Sequence, residues 1–343
     1  MTVRNALERV LSRAQLEVVP GRCLRAYHRR ASCRLCLDSC PDRAVSLDGS
    51  PEVDYSRCRC CGVCANLCPT GVFRLLEPSY ESLVARARGR DVVEFGCAQS
   101  ASAVGGMVSV PCLGYLNEAV LVAVAVGGAA EIRLDVSDCE ECRFEGGLAV
   151  AIETMRRANR LLSLFGLPDR VSAWTSDRGN GKGNGNRDGN GDRRYSRREF
   201  LSYLGRGTRS VAAGTGSPAA TGRDGDAGRR PGPLTPSLPE KRRMLLDHLS
   251  RLGPPFTGEA VIDGAPFARV TIGDDCDGCG MCVSFCPTGA LAWCDEGDRR
   301  ALTFGTADCL ACGLCREICP RDDVSLEPTV CPGDIVARTV TTL

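Results

Sequence analysis

The sequence has few of the side chains on which acid–base and nucleotide chemistry usually depends. Only two of its 343 residues are histidine, and aromatic residues make up 5%. No glycine-rich dinucleotide fingerprint follows a predicted strand, and no phosphate-binding loop is present. No run approaches the roughly 18 consecutive apolar residues of a membrane span. These absences argue against a flavin, nucleotide or acid–base site and against an integral membrane segment, so no catalytic residue is assigned.

Cysteine, in contrast, is abundant, with 23 residues. In a secreted protein so many cysteines would indicate disulfides. Here no apolar signal segment occurs near the N-terminus, and the cysteines follow spacings that are typical of metal ligands. The sequence therefore predicts a protein of the reducing cytoplasm.

Two cysteine runs near the C-terminal end share one spacing. They are Cys276-x2-Cys279-x2-Cys282-x3-Cys286-Pro287 and Cys309-x2-Cys312-x2-Cys315-x3-Cys319-Pro320. Three closely spaced cysteines wrap a tight loop around a cubane, and the cysteine before proline ligates the neighbouring cluster. We assign two [4Fe-4S] sites: site D (Cys276, Cys279, Cys282, Cys319) and site E (Cys286, Cys309, Cys312, Cys315). Zinc is the alternative, but it explains neither the third cysteine nor the Cys-Pro pair.

A similar pair of runs lies near the N-terminus. The second run, from Cys58 to Pro69, is regular; the first has Arg30 where the leading cysteine belongs, and Cys23 lies seven residues earlier. His28 is an alternative to Cys23 as a ligand, and without either one an iron would be open or the centre would be [3Fe-4S]. The assigned [4Fe-4S] sites are site A (Cys23, Cys33, Cys36, Cys68) and site B (Cys40, Cys58, Cys61, Cys64).

The two halves also repeat one another outside the cysteines. Thr70-Gly71-Val72 and Thr288-Gly289-Ala290 follow equivalent Cys-Pro pairs, which indicates internal duplication. Hairpins are predicted between the runs, from Ala44–Leu47 with Val53–Tyr55 and from Leu291–Trp293 with Ala301–Phe304. Each half resembles the two-[4Fe-4S] bacterial ferredoxin family, over roughly residues 20–78 and 265–330. The resemblance implies two ferredoxin-like domains with four [4Fe-4S] clusters.

Residues 91–172 follow a different pattern, that of a small α/β domain. The predicted strands are Val92–Phe95, Val108–Val110 and Glu131–Val136, and the predicted helices are Leu116–Val126 and Leu148–Phe165. Four cysteines stand at the strand ends, where an α/β sheet places ligand groups. We name them site C (Cys97, Cys112, Cys139, Cys142).

Site C carries a second resemblance. Pro111-Cys112-Leu113-Gly114 and Asp138-Cys139-Glu140-Glu141-Cys142, followed by Gly146-Gly147, resemble the iron–sulfur delta subunit of methyl-viologen-reducing hydrogenases. That resemblance implies a [2Fe-2S] centre. The last cysteine pair is closer here than in that family, and a zinc site or unliganded thiols are the alternatives.

The sequence thus predicts an α+β protein with two ferredoxin-like domains, residues 1–80 and 239–343, flanking the α/β domain. Residues 1–18 and 239–252 have helical periodicity. Residues 173–238 are predicted to be a disordered linker, because Ser176–Arg194 contains no apolar residue. Within the linker, the segment from Ser196 to Leu201 matches the twin-arginine export consensus. Its internal position and the lack of a following apolar region favour a short docking helix near 196–206.

The predicted function is an iron–sulfur electron-transfer protein or subunit that relays single electrons between a redox enzyme and a carrier. Its partners would be redox enzyme subunits or a soluble electron carrier. Nucleic acid is not expected, because the formal net charge is only +1 and each cluster would add about two negative charges. The alternatives are a substrate-binding component of an oxidoreductase complex and an accessory protein for metalloenzyme maturation. Cys60, Cys294 and Cys331 belong to no complete motif.

Overall fold

The computed structural model describes residues 15–98, 106–140, 142, 145–176, 192–194, 236–252, 260–261, 266–296, 299–337 and 340–342. All 23 cysteines lie within these ranges, and none of them forms a disulfide. Within the same ranges, no helix has the length and apolar character needed to span a bilayer. The predicted helix near 196–206, with the twin-arginine segment, lies outside the described residues.

The N-terminal unit consists of two short β-pairs that hold the cysteine loops between them. Its elements are β1 (Leu16–Val18), α1 (Leu24–Tyr27), α2 (Leu35–Asp38), β2 (Val45–Ser46), β3 (Glu52–Val53), α3 (Val63–Leu67) and β4 (Phe73–Leu75). Strand β1 pairs antiparallel with β4, and β2 and β3 form the expected hairpin. The helix predicted over residues 1–18 is wrong at its end, because Leu16 is buried opposite Leu75 in a β-pair. Strand pairing overrides the local helical period there.

The middle unit is a mixed sheet with helices on it. It follows helix α4 (Tyr80–Ala87), which the sequence analysis did not predict. Its elements are β5 (Val92–Cys97), β6 (Val108–Val110), α5 (Glu118–Val126), β7 (Glu131–Asp135), α6 (Glu145–Ser163), β8 (Val171–Ser176) and β9 (Asp192–Arg194). The strand order is β6-β5-β7-β8-β9, with four parallel strands and an antiparallel β9. Helix α5 is buried all round, which explains its uniformly apolar sequence.

Strands β8 and β9 differ from the predicted linker. Strand β8 continues the middle unit to Ser176, and Asp192–Arg194 pairs with it through the register Trp174 to Arg194. An edge strand needs only backbone partners, so a sequence without apolar residues can form one. Residues 177–191 and 195–235 lie outside the described part of the chain.

The C-terminal unit repeats the strand pairing of the N-terminal one. Its elements are α7 (Glu240–Leu249), β10 (Ala260–Val261), β11 (Arg269–Ile272), α8 (Met281–Ser284), β12 (Leu291–Glu296), β13 (Arg299–Gly305), α9 (Leu314–Ile318), β14 (Val324–Glu327), β15 (Thr329–Val330), α10 (Pro332–Ala337) and β16 (Val340–Thr342). Strand β11 pairs with β14, and β12 with β13, as in a small ferredoxin-like fold. The pairs β10–β15 and β13–β16 are additions.

A short segment joins the N-terminal and C-terminal units. A Cβ atom built at Gly289 would lie 3.3 Å from Cβ of Pro236, and one built at Gly71 would lie 3.4 Å from Cβ of Pro239. Both glycines have positive φ, 74° and 72°. The Ser237 N–H also donates to the Pro287 carbonyl at 3.1 Å. Residues 236–239 therefore run between the two Cys-Pro-Thr-Gly motifs.

Candidate metal centres

The three regular cysteine loops have one backbone conformation. The second residue after the leading cysteine has positive φ in each loop: 54° at Cys60, 69° at Gly278 and 51° at Ala311. A left-handed glycine then starts the short helix that carries the third cysteine, at Gly62, Gly280 and Gly313. Two left-handed residues in a seven-residue loop curl the chain around a central volume. In the irregular loop, Arg34 takes the position of these glycines. Its φ is −135°, so that loop turns differently.

Site B is assembled from both N-terminal cysteine runs. Its four cysteines line a pocket of about 410 Å³, part of which is open solvent, together with apolar side chains that include Leu16 and Val45. The Sγ of Cys40 accepts the Ala44 N–H at 3.2 Å, and the Sγ of Cys58 accepts the Cys60 N–H at 3.5 Å. Burial raises the pKa of Cys61 to about 11, with Cys40 and Cys58 adding to the shift.

Site D is the equivalent arrangement in the C-terminal unit. Its four cysteines line a second such pocket of about 410 Å³, and Cys319 comes from the other run. Cys276 and Cys279 are exposed to solvent. Beside them Asp277 and Arg321 form an ion pair at 3.1 Å. Site D is therefore the cysteine set with the most open access to solvent.

Site E is more deeply buried. Burial raises the pKa of Cys312, and the neighbouring Cys309, Cys286 and Cys315 add to this shift. The pKa of Cys315 is raised by burial to about 12. The Sγ of Cys309 accepts the Ala311 N–H at 3.4 Å. Cys286, the cysteine before Pro287, thus lies with the three cysteines of the following run.

Site A contains the irregular cysteine. Cys23, Cys36 and Cys68 are all buried. Burial raises the pKa of Cys36 to about 12, and Cys68, Cys33 and Cys23 contribute in that order. The Sγ of Cys68 accepts the Val72 N–H at 3.3 Å. The structure thus brings the four cysteines together in spite of the longer loop.

His28 has other contacts than the site A cysteines. Its Nδ1 accepts the Arg30 N–H at 3.1 Å, and its ring packs edge-on against Phe285 with centroids 4.9 Å apart. These contacts favour Cys23 over His28 as the fourth donor of site A.

Site C lies at the carboxyl ends of β5, β6 and β7, where the sequence analysis expected it. Cys97 ends β5, and its Sγ donates to the Pro111 carbonyl at 3.4 Å. Burial raises the pKa of Cys139 to about 12, with Cys97 and Cys142 among the other causes. A Cβ built at Gly147 would lie 2.7 Å from the Sγ of Cys112, so the start of α6 closes over this sulfur.

All five sites provide four thiol groups each, and hydrogen bonds from backbone N–H to sulfur support the cysteines at sites A, B and E. In the described part of the chain, no group of three or more His, Cys, Asp or Glu side chains is close enough to hold a single metal ion. Four thiols per site are the donor set that iron–sulfur clusters take, and the buried thiols would have to give up their protons to bind iron.

The first and last units meet where sites A and E face each other. Leu24 and Ala31 form one apolar cluster with Leu314 and Ile318, and the side chains packed against it include Tyr27, Cys33, Phe285 and Cys312. One cysteine of site A and one of site E thus touch the same small cluster. We call this contact the A–E junction.

The remaining sites extend the series on both sides. Sites D and E exchange cysteines between runs, as do sites A and B, so each pair is interleaved. Site C adjoins site B. A Cβ built at Gly114, two residues after Cys112 of site C, would lie 2.9 Å from Cγ2 of Val63. Val63 lies between Cys61 and Cys64 of site B. A charge at Cys61 also adds to the raised pKa of Cys112. The five sites thus follow one another in the order C, B, A, E and D.

Three polar residues near these sites were missed in the sequence analysis: Asn66 and Arg242, which are buried, and Lys241, which is half-buried. The Asn66 amide donates to the carbonyls of Gly114 and Leu116, at 3.0 and 2.6 Å, and thereby ties α3 to the middle unit. Lys241 and Arg242 on α7 contact both ferredoxin-like units. A signal was present, because Arg242 lies on the same helical face as Leu245, Leu246 and Leu249.

The three cysteines outside the motifs take different positions. Cys60 is buried beside Cys58, Cys294 is exposed, and Cys331 is half-buried. None of the three completes another set of four.

Comparison with known protein families identifies part of the chain. The family described as the 4Fe-4S dicluster domain matches residues 275–322, which contain all eight cysteines of sites D and E. This match confirms the predicted C-terminal pair and accounts for at least two [4Fe-4S] clusters, with an iron–sulfur electron-transfer role. No curated protein and no solved structure matches the chain.

Proposed function

We propose that this chain is an electron-transfer protein or subunit with four [4Fe-4S] clusters, at sites A, B, D and E, and a [2Fe-2S] centre at site C. Such centres supply one-electron chemistry at potentials that the surrounding protein adjusts. The protein would relay single electrons between a redox enzyme and a soluble carrier, without catalysing a reaction of its own.

The observation that supports this proposal is the unbroken series of cysteine sites. Each set of four thiols lies beside the next, and the series crosses from one ferredoxin-like unit to the other at the A–E junction. The protein would contribute thiolate donors to each centre, and N–H···S hydrogen bonds to those at sites A, B and E.

The two ends of the series differ in access. Site D presents exposed Cys276 and Cys279, whereas Cys97 and Cys112 of site C are buried. We assign the site D end to the soluble carrier, because an electron that enters or leaves in a collision needs a centre near the surface. The site C end would face the redox enzyme.

The test is anaerobic purification with iron, sulfide and zinc measured per chain. About sixteen iron atoms in [4Fe-4S] centres are expected, and about two more for a [2Fe-2S] centre. EPR of the reduced protein should show magnetic interaction between neighbouring centres. Stoichiometric zinc with negligible sulfide would contradict the proposal.

A matched pair of cysteine variants localises the clusters. Cys279→Ser removes a donor of site D, and Cys294→Ser removes an equally exposed thiol that belongs to no set. We expect the first variant to lose or alter one cluster and the second to keep the parent iron content and EPR spectrum.

A further inference from the structure

Helix α7 lies between the two ferredoxin-like units and carries two adjacent cations. Lys241 and Arg242 are consecutive residues, so their side chains leave the helix at directions about 100° apart and reach different neighbours. Lys241 reaches the N-terminal unit, and Arg242 reaches the C-terminal unit. The helix itself packs on α5 of the middle unit.

Each cation binds a backbone carbonyl just before a cysteine of the inner sites. The Nζ of Lys241 donates to the Asn66 carbonyl at 2.5 Å, and Asn66 precedes Cys68 of site A by two residues. Arg242 donates to the Ala307 carbonyl at 3.4 Å, and Ala307 precedes Cys309 of site E by two residues. One such contact thus lies on each side of the A–E junction, before the last cysteine of one run and the first cysteine of another.

Arg242 is enclosed in an apolar setting. Only 3% of its surface is exposed. Its guanidinium also donates to the Pro266 carbonyl and stacks over the Phe267 ring, 3.9 Å from the centroid. Burial lowers the pKa of Arg242 to about 10 and lowers that of Lys241. The chain thus holds a positive charge where water is excluded.

Neither cation has a carboxylate partner among the described residues. Glu118, an acidic side chain near both, forms an ion pair with Arg157 at 3.5 Å. A buried charge without a counter-charge is strongly destabilising. Among nearby acidic groups, Cys68 raises the pKa of Lys241 most and Cys309 raises that of Arg242 most, ahead of Glu118 for both and of Asp308 for Arg242.

We propose that Lys241 and Arg242 are counter-charges of the inner clusters, Lys241 for site A and Arg242 for site E, and that they raise the reduction potentials of these two centres above those they would otherwise have. This inference rests on the proposed function. Reduction adds one negative charge to a [4Fe-4S] centre, and a nearby cation in a low-dielectric setting favours the more negative state. Electrons that arrive from either end of the series would collect at the inner pair.

The test is a redox titration followed by EPR on holoprotein with single substitutions. Lys241→Gln and Arg242→Gln keep a hydrogen-bond donor for the carbonyl but remove the charge. We expect Lys241→Gln to lower the midpoint potential of site A and Arg242→Gln to lower that of site E, while the outer sites move less. Arg243→Gln removes the same charge from an exposed neighbour on the same helix and should leave every potential near its parent value.

The outcomes separate this inference from the proposed function. If parent protein contains no [4Fe-4S] clusters, the proposed function fails. If the clusters are present and the Gln variants keep the parent potentials, or Arg243→Gln shifts them equally, the counter-charge inference is overturned. If a Gln variant loses iron, Lys241→Arg and Arg242→Lys provide the test instead. These variants keep the charge, so we expect them to keep the parent potentials. Lower potentials in them would overturn the inference.

Discussion

Ser32 of the first unit and Glu317 of the last unit are hydrogen-bonded to each other at the A–E junction. The carboxylate of Glu317 accepts the Ser32 N–H at 2.8 Å and the Ser32 hydroxyl at 2.6 Å. Ser32 directly precedes Cys33 of site A, and Glu317 lies on α9, which carries Cys315 of site E. One side chain of the last unit thus holds the loop that carries a cysteine of the first.

Glu317→Ala should loosen this loop. Both hydrogen bonds would be lost, and because they are exposed we expect a local cost of about 1 kcal/mol. Hydrogen exchange at the Ser32 amide should then accelerate by about five-fold. Ser32→Ala is the control, because it removes only the hydroxyl and should accelerate exchange less. Equal exchange in all three proteins would show that the contact is not formed in solution.

Gly62→Ala and Gly313→Ala form a matched pair. Both glycines have left-handed φ, 80° and 76°, so each substitution should cost about 1 kcal/mol in conformation. A Cβ at Gly62 would also lie 2.5 Å from Cδ2 of Tyr115, whereas one at Gly313 meets no atom within 4 Å. Gly62→Ala should therefore lower the unfolding temperature more, measured anaerobically by circular dichroism. The reverse order would contradict the packing of site B against the middle unit.

Cys23→Ser tests the irregular donor. We expect it to alter the iron content and EPR signal of site A alone, because the cysteines of site B remain. Cys61→Ser should instead disturb site B. Unchanged iron content and an unchanged EPR spectrum in Cys23→Ser would exclude Cys23 as a ligand. The fourth ligand of site A would then be His28, or one iron would have an open position.

Iron-free protein should be less stable in alkali. The pKa of Cys36 is raised from 9.0 to about 12 in the folded chain, so the folded state holds this proton more tightly than the unfolded state. Its contribution to stability is complete below pH 9 and is lost as the pH rises towards 12. Urea unfolding at pH 8 and pH 10 should show the loss. Holoprotein should lose less unfolding free energy, since thiolates bound to iron have no proton to release. An equal loss in both forms would contradict the assignment of Cys36 to a cluster.

The cysteine spacing predicted the C-terminal pair of clusters, which the match over residues 275–322 supports, because three cysteines of each run lie within seven residues. The individual ligand sets, each with a fourth cysteine from the other run, stay a prediction. The structure brings even Cys23 to the expected partners. The short β1 strand was mistaken for helix, since Leu16 owes its conformation to pairing with Leu75 from the far side of the unit. Sequence periodicity reports local preference and cannot show such a partner.

The A–E junction had no local signal at all. Ser32 and Glu317 are 285 positions apart, and neither belongs to a motif. Arg242 offered a partial signal, as a cation on an otherwise apolar helical face. Its two carbonyl partners, at Ala307 and Pro266, became visible only in the folded chain.

The A–E junction also sets an order for biosynthesis. All four cysteines of site A leave the ribosome long before Leu314 and Ile318, which belong to the apolar cluster that packs against Cys33 in the finished protein. At roughly 5–20 residues per second, the delay is on the order of tens of seconds. During that time Leu24 and Ala31 lack their partners from the last unit. The cluster proposed for site A would therefore be inserted before the last unit covers Cys33.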